Sequence, residues 1–184
     1  YTRHNYTQVF VDWYEYLRGF RKNHSWALRF KAGWIDKTHI NSFYHFYAGG
    51  MDGLRGYPFY SMEGRKLVHF GAEYRFPLIS SIDKQVFVFG LDKLYMSVYA
   101  EAGDAFDQYE IHPTLWKKDV GVEFRLSTVS FYALPLNVFF SASYGLDQFE
   151  HKDVTYGHEI RYYFGMLFSF WDLLEENRQQ FFKY

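Results

Sequence analysis

Arg55 is the residue of this chain best suited to a specific polar interaction, because it lies in the glycine-rich segment 49–58, GGMDGLRGYP. A guanidinium group presents several N–H donors in a planar fork that can bind both oxygens of a carboxylate. Gly53 and Gly56 flank it and allow the backbone to turn sharply and approach a neighbouring wall. Such an arginine is easier to explain inside a barrel than on the surface of a soluble protein.

Alternating apolar and polar residues predict the strands that must position this segment. In residues 64–77 the apolar side chains share one face, and the other face carries His69, Gly71, Glu73 and Arg75. The same period of two recurs along the chain and predicts seven strands, near residues 6–17, 24–35, 64–77, 93–103, 117–127, 134–146 and 157–170. The charged residues on polar faces that we expect to line a lumen are Glu73, Arg75, Glu123, Arg125 and Arg161.

A soluble antiparallel sandwich is the alternative explanation of this alternation, with the apolar face inside and the charged face in water. The chain contains 18 Tyr and 21 Phe, and such residues form girdles at both interfaces of membrane barrels. The strands are long, and Gly33, Gly71, Gly121 and Gly165 lie on polar faces, where a crowded lumen needs room. We therefore predict an all-β fold, an antiparallel transmembrane β-barrel.

The connections predict which end of the barrel faces outward. The long connections 36–63, 104–116 and 147–156 alternate with the short ones 18–23 and 128–133, as outer loops alternate with periplasmic turns. Residues 78–92 are an exception, and Val86–Phe89 could lead into the next strand. Because seven strands do not match the even count of most bacterial barrels, we expect either a missed strand or a larger barrel. The chain starts at Tyr1 without an initiator Met, so we expect further sequence upstream.

Composition and charge exclude several classes of function. A formal net charge of −1 argues against a nucleic-acid surface, and the absence of cysteine excludes disulfides and thiolate metal sites. No run of about 18 apolar residues is present to form a spanning helix.

No spacing indicates catalysis, so we expect no enzyme activity, no catalytic residue, no cofactor and no metal. Histidines 45, 112, 151 and 158 fall in outer loops without a matching serine or carboxylate pair, which leaves an outer-membrane hydrolase as a distant alternative. Asp104, Asp107 and Asp119 could hold a cation, although scattered loop acids usually only solubilise.

The arginine segment also carries a family resemblance. Leu54-Arg55-Gly56-Tyr57 is followed by a strand that ends Glu73-Tyr74-Arg75-Phe76-Pro77-Leu78, and this order resembles the barrel of the outer-membrane assembly factor and bacterial surface antigen superfamily, which contains BamA, TamA and FhaC. In that family the loop with a Val-Arg-Gly-Phe-type motif folds back into the lumen. The resemblance implies the loop motif Gly53, Leu54, Arg55, Gly56 and Tyr57.

The resemblance also implies a partner for Arg55. Ala100-Glu101-Ala102-Gly103 is similar to the family pattern whose carboxylate holds the loop arginine, although Asp is commoner there than Glu. Alternation places Glu101 with Ser97 and Tyr99 on the polar face, so we expect the lumenal partner residues to be Glu101 and Gly103.

The resemblance implies the last seven strands of a barrel of about sixteen, in the outer membrane of a bacterium or organelle. Its function would be protein insertion or translocation, and its partners would be outer-membrane lipid, the remainder of the barrel upstream of Tyr1 and periplasmic proteins. Envelope proteins that fuse a periplasmic propeller to such a barrel are similar in the same stretches, so a barrel anchor or pore for a periplasmic binding domain is the alternative.

The predicted organisation has two parts. Residues 1–170 form the C-terminal part of the barrel, with lumenal loop 36–63. Residues 171–184 continue past the aromatic end of the last strand and could form a short amphipathic helix in the periplasm.

Overall fold

The computed structural model describes residues 5–107, 116–130, 134–151 and 153–168. Its regular structure consists of antiparallel strands and a short 3-10 helix, Ser42–Tyr44. The strands are β1 Gln8–Arg18, β2 Ser25–Ile35, β3 Phe46–Tyr47, β4 Glu63–Gly64, β5 Lys66–Ile79, β6 Lys84–Val86, β7 Phe89–Phe106, β8 Lys117–Ser130, β9 Leu134–Gly145, β10 Phe149–His151, β11 Val154–Tyr156 and β12 Ile160–Phe168. No helix of these residues is long and apolar enough to cross a bilayer.

The long strands form one antiparallel sheet in the order β1-β2-β5-β7-β8-β9-β12, and β6 pairs with the start of β7 as an eighth strand. Each long strand pairs with the next one along the chain, which is the topology of an up-and-down barrel wall. The sheet does not close, because among the described residues β1 pairs only with β2 and β12 only with β9. The predicted all-β antiparallel fold is confirmed, and the open sheet fits part of a larger barrel.

Burial across the sheet is the reverse of that in a soluble protein. Aromatic residues on the outer face are exposed, for example Phe164 at 67%. The acidic residue Glu123 faces inward and is only 6% exposed. A water-soluble sandwich would bury the apolar face instead. The soluble alternative is therefore wrong, and the predicted polar faces line the concave side of the sheet.

The strand ends differ from the prediction near the turns. β7 runs from Phe89 to Phe106 and exceeds the predicted residues 93–103 at both ends. At its start a register shift between Leu91 and Lys93 interrupts the period of two, and at its end residues 104–106 continue the pairing with β5. Val86–Phe89 is not a continuous lead-in, since Val86 ends β6 and Phe87 and Val88 form a hairpin turn. Residues 169–184 lie outside the described residues, and with them the predicted extension 171–184.

The connection between β2 and β5 folds back onto the concave side and packs a small apolar core there. Ile35, Leu67 and Ala105 come from the strands, and the loop contributes Phe46, Ala48, Leu54, Tyr57 and Met62. Gly33 makes room for this packing, because a Cβ atom at its position would lie 2.6 Å from the ring of Phe46. The loop is therefore a packed element of the barrel interior.

Candidate functional site

The segment that carries Arg55 is held in shape by its own backbone. Leu54 N–H donates to the Ala48 carbonyl at 2.7 Å, and Gly50 N–H donates to the Leu54 carbonyl at 3.1 Å. Gly50 has φ of +97°, a conformation that favours glycine. A Cβ atom at Gly53 would lie 1.9 Å from the Ala48 carbonyl oxygen. Leu54 fills the centre of the loop core, so the segment presents Arg55 from a fixed base.

Arg55 binds Glu101 of β7 through both its side chain and its main chain. Its Nη2 lies 2.8 Å and its Nε 3.0 Å from Oε1 of Glu101, and its backbone N–H donates to Oε2 at 3.0 Å. The guanidinium carbon lies 3.3 Å from the ring centroid of Tyr99, on the same face of β7. The two side chains are only 12% and 7% exposed, so water screens this ion pair weakly.

Two further carboxylates surround the same guanidinium. Glu73 on β5 and Glu123 on β8 each place an oxygen 3.7 Å from a terminal nitrogen of Arg55. Each of these glutamates also binds an arginine two residues along its own strand, Arg75 at 2.8 Å and Arg125 at 2.6 Å. The predicted lumenal charges of β5 and β8 therefore converge on the loop arginine.

The residues after Arg55 attach the loop to three more places. Gly56 N–H donates to Oδ2 of Asp119 on β8 at 2.6 Å. The Tyr57 hydroxyl lies 2.9 Å from the Lys118 carbonyl oxygen and accepts from the Asp147 N–H at 3.0 Å, in the connection after β9. Burial raises the pKa of this hydroxyl to about 12.

The last described strand also holds the loop. The Tyr163 hydroxyl on β12 donates to the Arg55 carbonyl at 2.8 Å. Arg55 and its two successors thus connect β7, β8, the connection after β9, and β12. Consecutive residues of one short segment bridge strands that are far apart in sequence.

A second group of charges holds the opposite side of the loop. Asp52 binds Arg29 at 2.9 Å and Lys31 at 2.7 Å, both on β2. Arg29 also binds Asp12 of β1 at 2.7 Å, which links the loop to the edge strand. Partial burial alone would raise the pKa of Asp52, but hydrogen bonds and charges of the two cations outweigh it and lower that pKa. The loop supplies a cation to β7 and an anion to β2.

We expect Asp52→Asn to loosen the loop by about 1 kcal/mol, because Lys31, whose side chain is only 6% exposed, loses its charged partner. The Asp52 side chain is 83% exposed. Since its pKa is lowered in the folded state, the wild-type attachment is complete above about pH 4 and is lost as the pH falls further. The loosening is measured as the rate of proteolysis at Phe59 and Tyr60 in vesicle-embedded protein at each pH between 3 and 7. We expect this rate to rise roughly a few-fold when the loop loosens.

Asp153→Asn in the β10–β11 hairpin serves as the matched control, because it makes the same chemical change at an exposed site outside the loop. Equal cleavage of Asp52→Asn and wild type across the whole pH range would contradict a role for Asp52 in holding the loop.

The remaining predicted site residues have separate positions. Gly103 lies opposite His69 and allows close strand packing, since a Cβ atom there would lie 2.4 Å from the Val68 carbonyl oxygen. Arg161 on β12 binds Glu159 at 3.1 Å. The three acids considered for a cation are dispersed: Asp104 lies near Lys117, Asp107 binds Arg65, and Asp119 binds the loop backbone. His112 lies outside the described residues.

Sequence reasoning missed Asp119, Tyr163 and the pair of cations that bind Asp52. The signal for Asp119 was present, because it lies two residues before Gly121 and four before Glu123 on the same predicted face. It was wrong to group it with the scattered loop acids, since β8 already begins at Lys117. The partners of Asp52 and Tyr163 carry no local signal, because a loop has no period that fixes where its side chains point.

Comparison with known families assigns this architecture. No curated protein compared with the chain matches its sequence. The family model described as the Omp85 superfamily domain matches residues 3–128, more than half of the chain, and the match includes Arg55, Glu101 and Asp119. That domain is typical of outer-membrane proteins of bacteria and organelles. The superfamily in general acts in the insertion of proteins into membranes and their translocation across them. The chain belongs to the Omp85 superfamily.

Proposed function

We propose that this chain is part of an outer-membrane barrel that inserts polypeptides into the membrane or exports them, without covalent chemistry. The observation that carries the proposal is the attachment of the β2–β5 loop to the lumenal face, centred on the 2.8 Å ion pair between Arg55 and Glu101. A loop held there occupies part of the lumen and braces the strands that form its wall. A client would then enter either past a displaced loop or at the edge of the sheet.

Among the described residues no strand pairs with the outer edge of β12 from Ile160 to Leu167, and this edge supports the second route. A strand edge presents free N–H and C=O groups that can pair with an incoming strand. In the complete barrel this edge would meet the first strand, upstream of Tyr1. Hydrogen bonds at such a seam would supply the chemistry that insertion needs.

The partners that we propose for this chain follow from the faces and edges of its sheet. Outer-membrane lipid would contact the apolar face, the remainder of the barrel would pair with β1, and periplasmic proteins would bind on the turn side. The net charge of −1 offers no basis for nucleic-acid binding. The function requires neither a cofactor nor a metal.

Assisted folding of a model client tests the proposal. The full-length protein is reconstituted into phospholipid vesicles, and a urea-unfolded eight-stranded outer-membrane barrel protein is added as the probe. We expect it to fold faster than in empty vesicles, and we expect Glu101→Gln to remove much of that acceleration. Folding is followed by the shift in gel mobility of the folded probe.

A barrel that only anchors a periplasmic binding domain, or only conducts solutes, gives a different result. Such a protein would leave the folding rate of the probe at the empty-vesicle value while showing single-channel conductance. That outcome would overturn the insertion proposal and favour the anchor or pore.

A further inference from the structure

Asp119 lies at the centre of the loop attachment without a charged partner of its own. It is completely buried on the lumenal face of β8, and Gly56 of the loop packs over it. Its Oδ2 accepts the Gly56 N–H at 2.6 Å, whereas its Oδ1 has no hydrogen-bond donor among the described residues. In the same part of the chain no ion pair includes Asp119, although Arg55 pairs with Glu101 next to it. A buried carboxylate in this position is unfavourable, because nothing replaces the water that would solvate its charge.

The carboxyl group beside Asp119 is that of Glu101. The two residues are directly opposite each other in the register of β7 and β8, where Cβ atoms are about 4.5–5.5 Å apart. Their carboxyl groups lie within hydrogen-bonding reach of each other. An ionised carboxylate only accepts hydrogen bonds, so two of them cannot bond to each other. The contact becomes favourable when one of the two carboxyl groups keeps its proton.

The charges around the loop arginine do not balance if every acid is ionised. Three glutamates and Asp119 face the lumen here, and the glutamates form ion pairs with three guanidinium groups of the described residues: Glu73, Glu101 and Glu123 with Arg55, Arg75 and Arg125. Four carboxyl groups therefore meet three cations. Because a buried acid without a counter-charge favours its neutral form, one of the four carries a proton.

His69 is another group that could hold this proton, as an imidazolium near Glu101. It is almost completely buried on β5, and neither ring nitrogen has a hydrogen-bond partner among the residues described. An imidazolium there would have two N–H donors without acceptors, and it would lie opposite the cation of Lys31 in the register of β2 and β5. Oδ1 of Asp119, by contrast, lies beside a carboxylate that can accept. The acid pair is therefore the better site for the proton.

Titratable groups from the other neighbouring elements also face the pair. Three are phenols, which are neutral at neutral pH: Tyr99 of β7, Tyr57 of the loop and Tyr163 of β12. Two on β8 are alternate neighbours of Asp119 that already have partners: Lys117 with Asp104, and Glu123 with Arg125. β9 places Gly145 opposite Asp119. These described groups do not supply the fourth cation.

We propose that Asp119 and Glu101 share one proton beneath the bound loop at neutral pH, with Oδ1 of Asp119 donating to the Glu101 carboxylate. Glu101 keeps its negative charge for Arg55, and Asp119 offers Oδ2 to the Gly56 N–H. The wall and the loop then form a neutral set, which permits their close packing. The inference goes beyond the proposed function, because it concerns the charge of the loop attachment whether the barrel inserts clients or anchors a domain.

The shared proton makes the stability of the folded barrel depend on pH. The unfolded chain loses both protons above about pH 5, whereas the folded protein retains one. Because the folded state then binds more protons than the unfolded state, stability falls as the pH rises, until the pair itself ionises. Asp119→Asn has no proton to lose at this position, and it keeps an oxygen that can accept the Gly56 N–H.

Infrared difference spectroscopy tests the charge state directly, because the C=O stretch of a protonated carboxylic acid is separate from the bands of a carboxylate. The full-length protein is measured at neutral pH in vesicles of ether-linked phosphocholine lipids, which lack ester carbonyls. We expect Asp119→Asn to lose one carboxylic acid band that shifts in heavy water. Asp153→Asn, at an exposed site in the β10–β11 hairpin, is the control and should lose carboxylate bands alone.

Glu101→Gln provides a second variant for the same measurement. It leaves three carboxyl groups for three guanidinium groups, so Asp119 can ionise. We therefore expect Glu101→Gln to lose the acid band as well, although its own change removes a group that is ionised in the wild type.

Heat stability gives an independent readout of the proton. The temperature at which the folded protein loses its fast gel mobility is measured from about pH 6 to about pH 9. We expect this temperature to fall with rising pH in the wild type, and to fall less in Asp119→Asn. Asp153→Asn should follow the wild type.

Three results would overturn the proposal. Asp119→Asn could lose carboxylate bands alone, which would show that Asp119 is ionised at neutral pH. Glu101→Gln could retain the acid band, which would show that Asp119 holds its proton without sharing it. The pH dependence of heat stability could persist in Asp119→Asn and disappear in His69→Gln, which would assign the proton to the histidine.

Discussion

Replacement of Arg55 by alanine is expected to release the loop from the lumenal wall and to destabilise the folded barrel by about 3–5 kcal/mol, the cost of breaking a buried ion pair. Glu73 and Glu123 would keep Arg75 and Arg125 as counter-charges. Glu101 pairs with Asp119 in the register of β7 and β8, so two acidic residues lie side by side. Without Arg55, which lies 2.8 Å from Glu101, both would lose their nearest positive charge. The destabilisation therefore comes mainly from an uncompensated carboxylate at Glu101.

Two measurements report this effect in the full-length protein. Single-channel conductance is expected to rise and to fluctuate as the loop leaves the lumen. The temperature at which the folded protein loses its fast gel mobility is expected to fall. Arg55→Lys is the control for charge alone, and we expect an intermediate effect because lysine cannot form the planar fork.

A double-mutant cycle isolates the pair itself. Because Glu101→Gln removes the carboxylate that Arg55 neutralises, adding Arg55→Ala to it should cost much less than Arg55→Ala costs alone. If the two costs simply add, Arg55 and Glu101 act independently and the loop is held by other contacts.

Gly56→Ala is expected to have the second-largest effect, at or above about 1–3 kcal/mol, the usual cost of overpacking. A Cβ atom at this position would lie 2.6 Å from Cβ of Asp119 and 2.7 Å from the backbone nitrogen of Gly145. Both atoms belong to the strand wall and cannot move as the end of a flexible side chain can. The loop itself must shift, which lengthens the 2.6 Å hydrogen bond from Gly56 N–H to Asp119.

Gly71→Ala is the matched control for this substitution. Gly71 also faces the lumen, but a Cβ atom there would be 3.4 Å from its nearest neighbour, Cε1 of His69, which is an ordinary contact. We expect faster chymotrypsin cleavage at Phe59 and a lower unfolding temperature for Gly56→Ala, and values near wild type for Gly71→Ala. Equal behaviour of the two variants would show that the close approach of the loop to β8 is not required.

The local sequence predicted on which face of its strand each charged residue of the site lies. The alternation around Tyr99 and Glu101 predicts a carboxylate on the polar face, and the structure brings that carboxylate to the loop arginine. The alternation of residues along β8 also predicts Asp119 on the polar face, together with Gly121 and Glu123. The bulge at Asp92 and the β6–β7 hairpin interrupt such alternation, because a register shift exchanges the two faces of a strand.

The loop attachments could not be obtained in this way. Asp52 contacts β2, and the carbonyl of Arg55 contacts Tyr163, which is 108 residues later in the chain. Contacts of this kind depend on how the sheet curves and on where a loop core formed by Leu54 and Tyr57 sits against it.

The sequence by itself determined an antiparallel sheet with one apolar and one charged face, and an arginine segment with a carboxylate on the charged face. It could do so because the period of two is a local property of extended backbone. Only the tertiary structure decided that Arg55, Gly56 and Tyr57 bind separate strands and that Asp52 holds the other side of the loop. It also decided that the loop covers the pair of acids Glu101 and Asp119. These features depend on long-range packing and register, for which neighbouring residues carry no period.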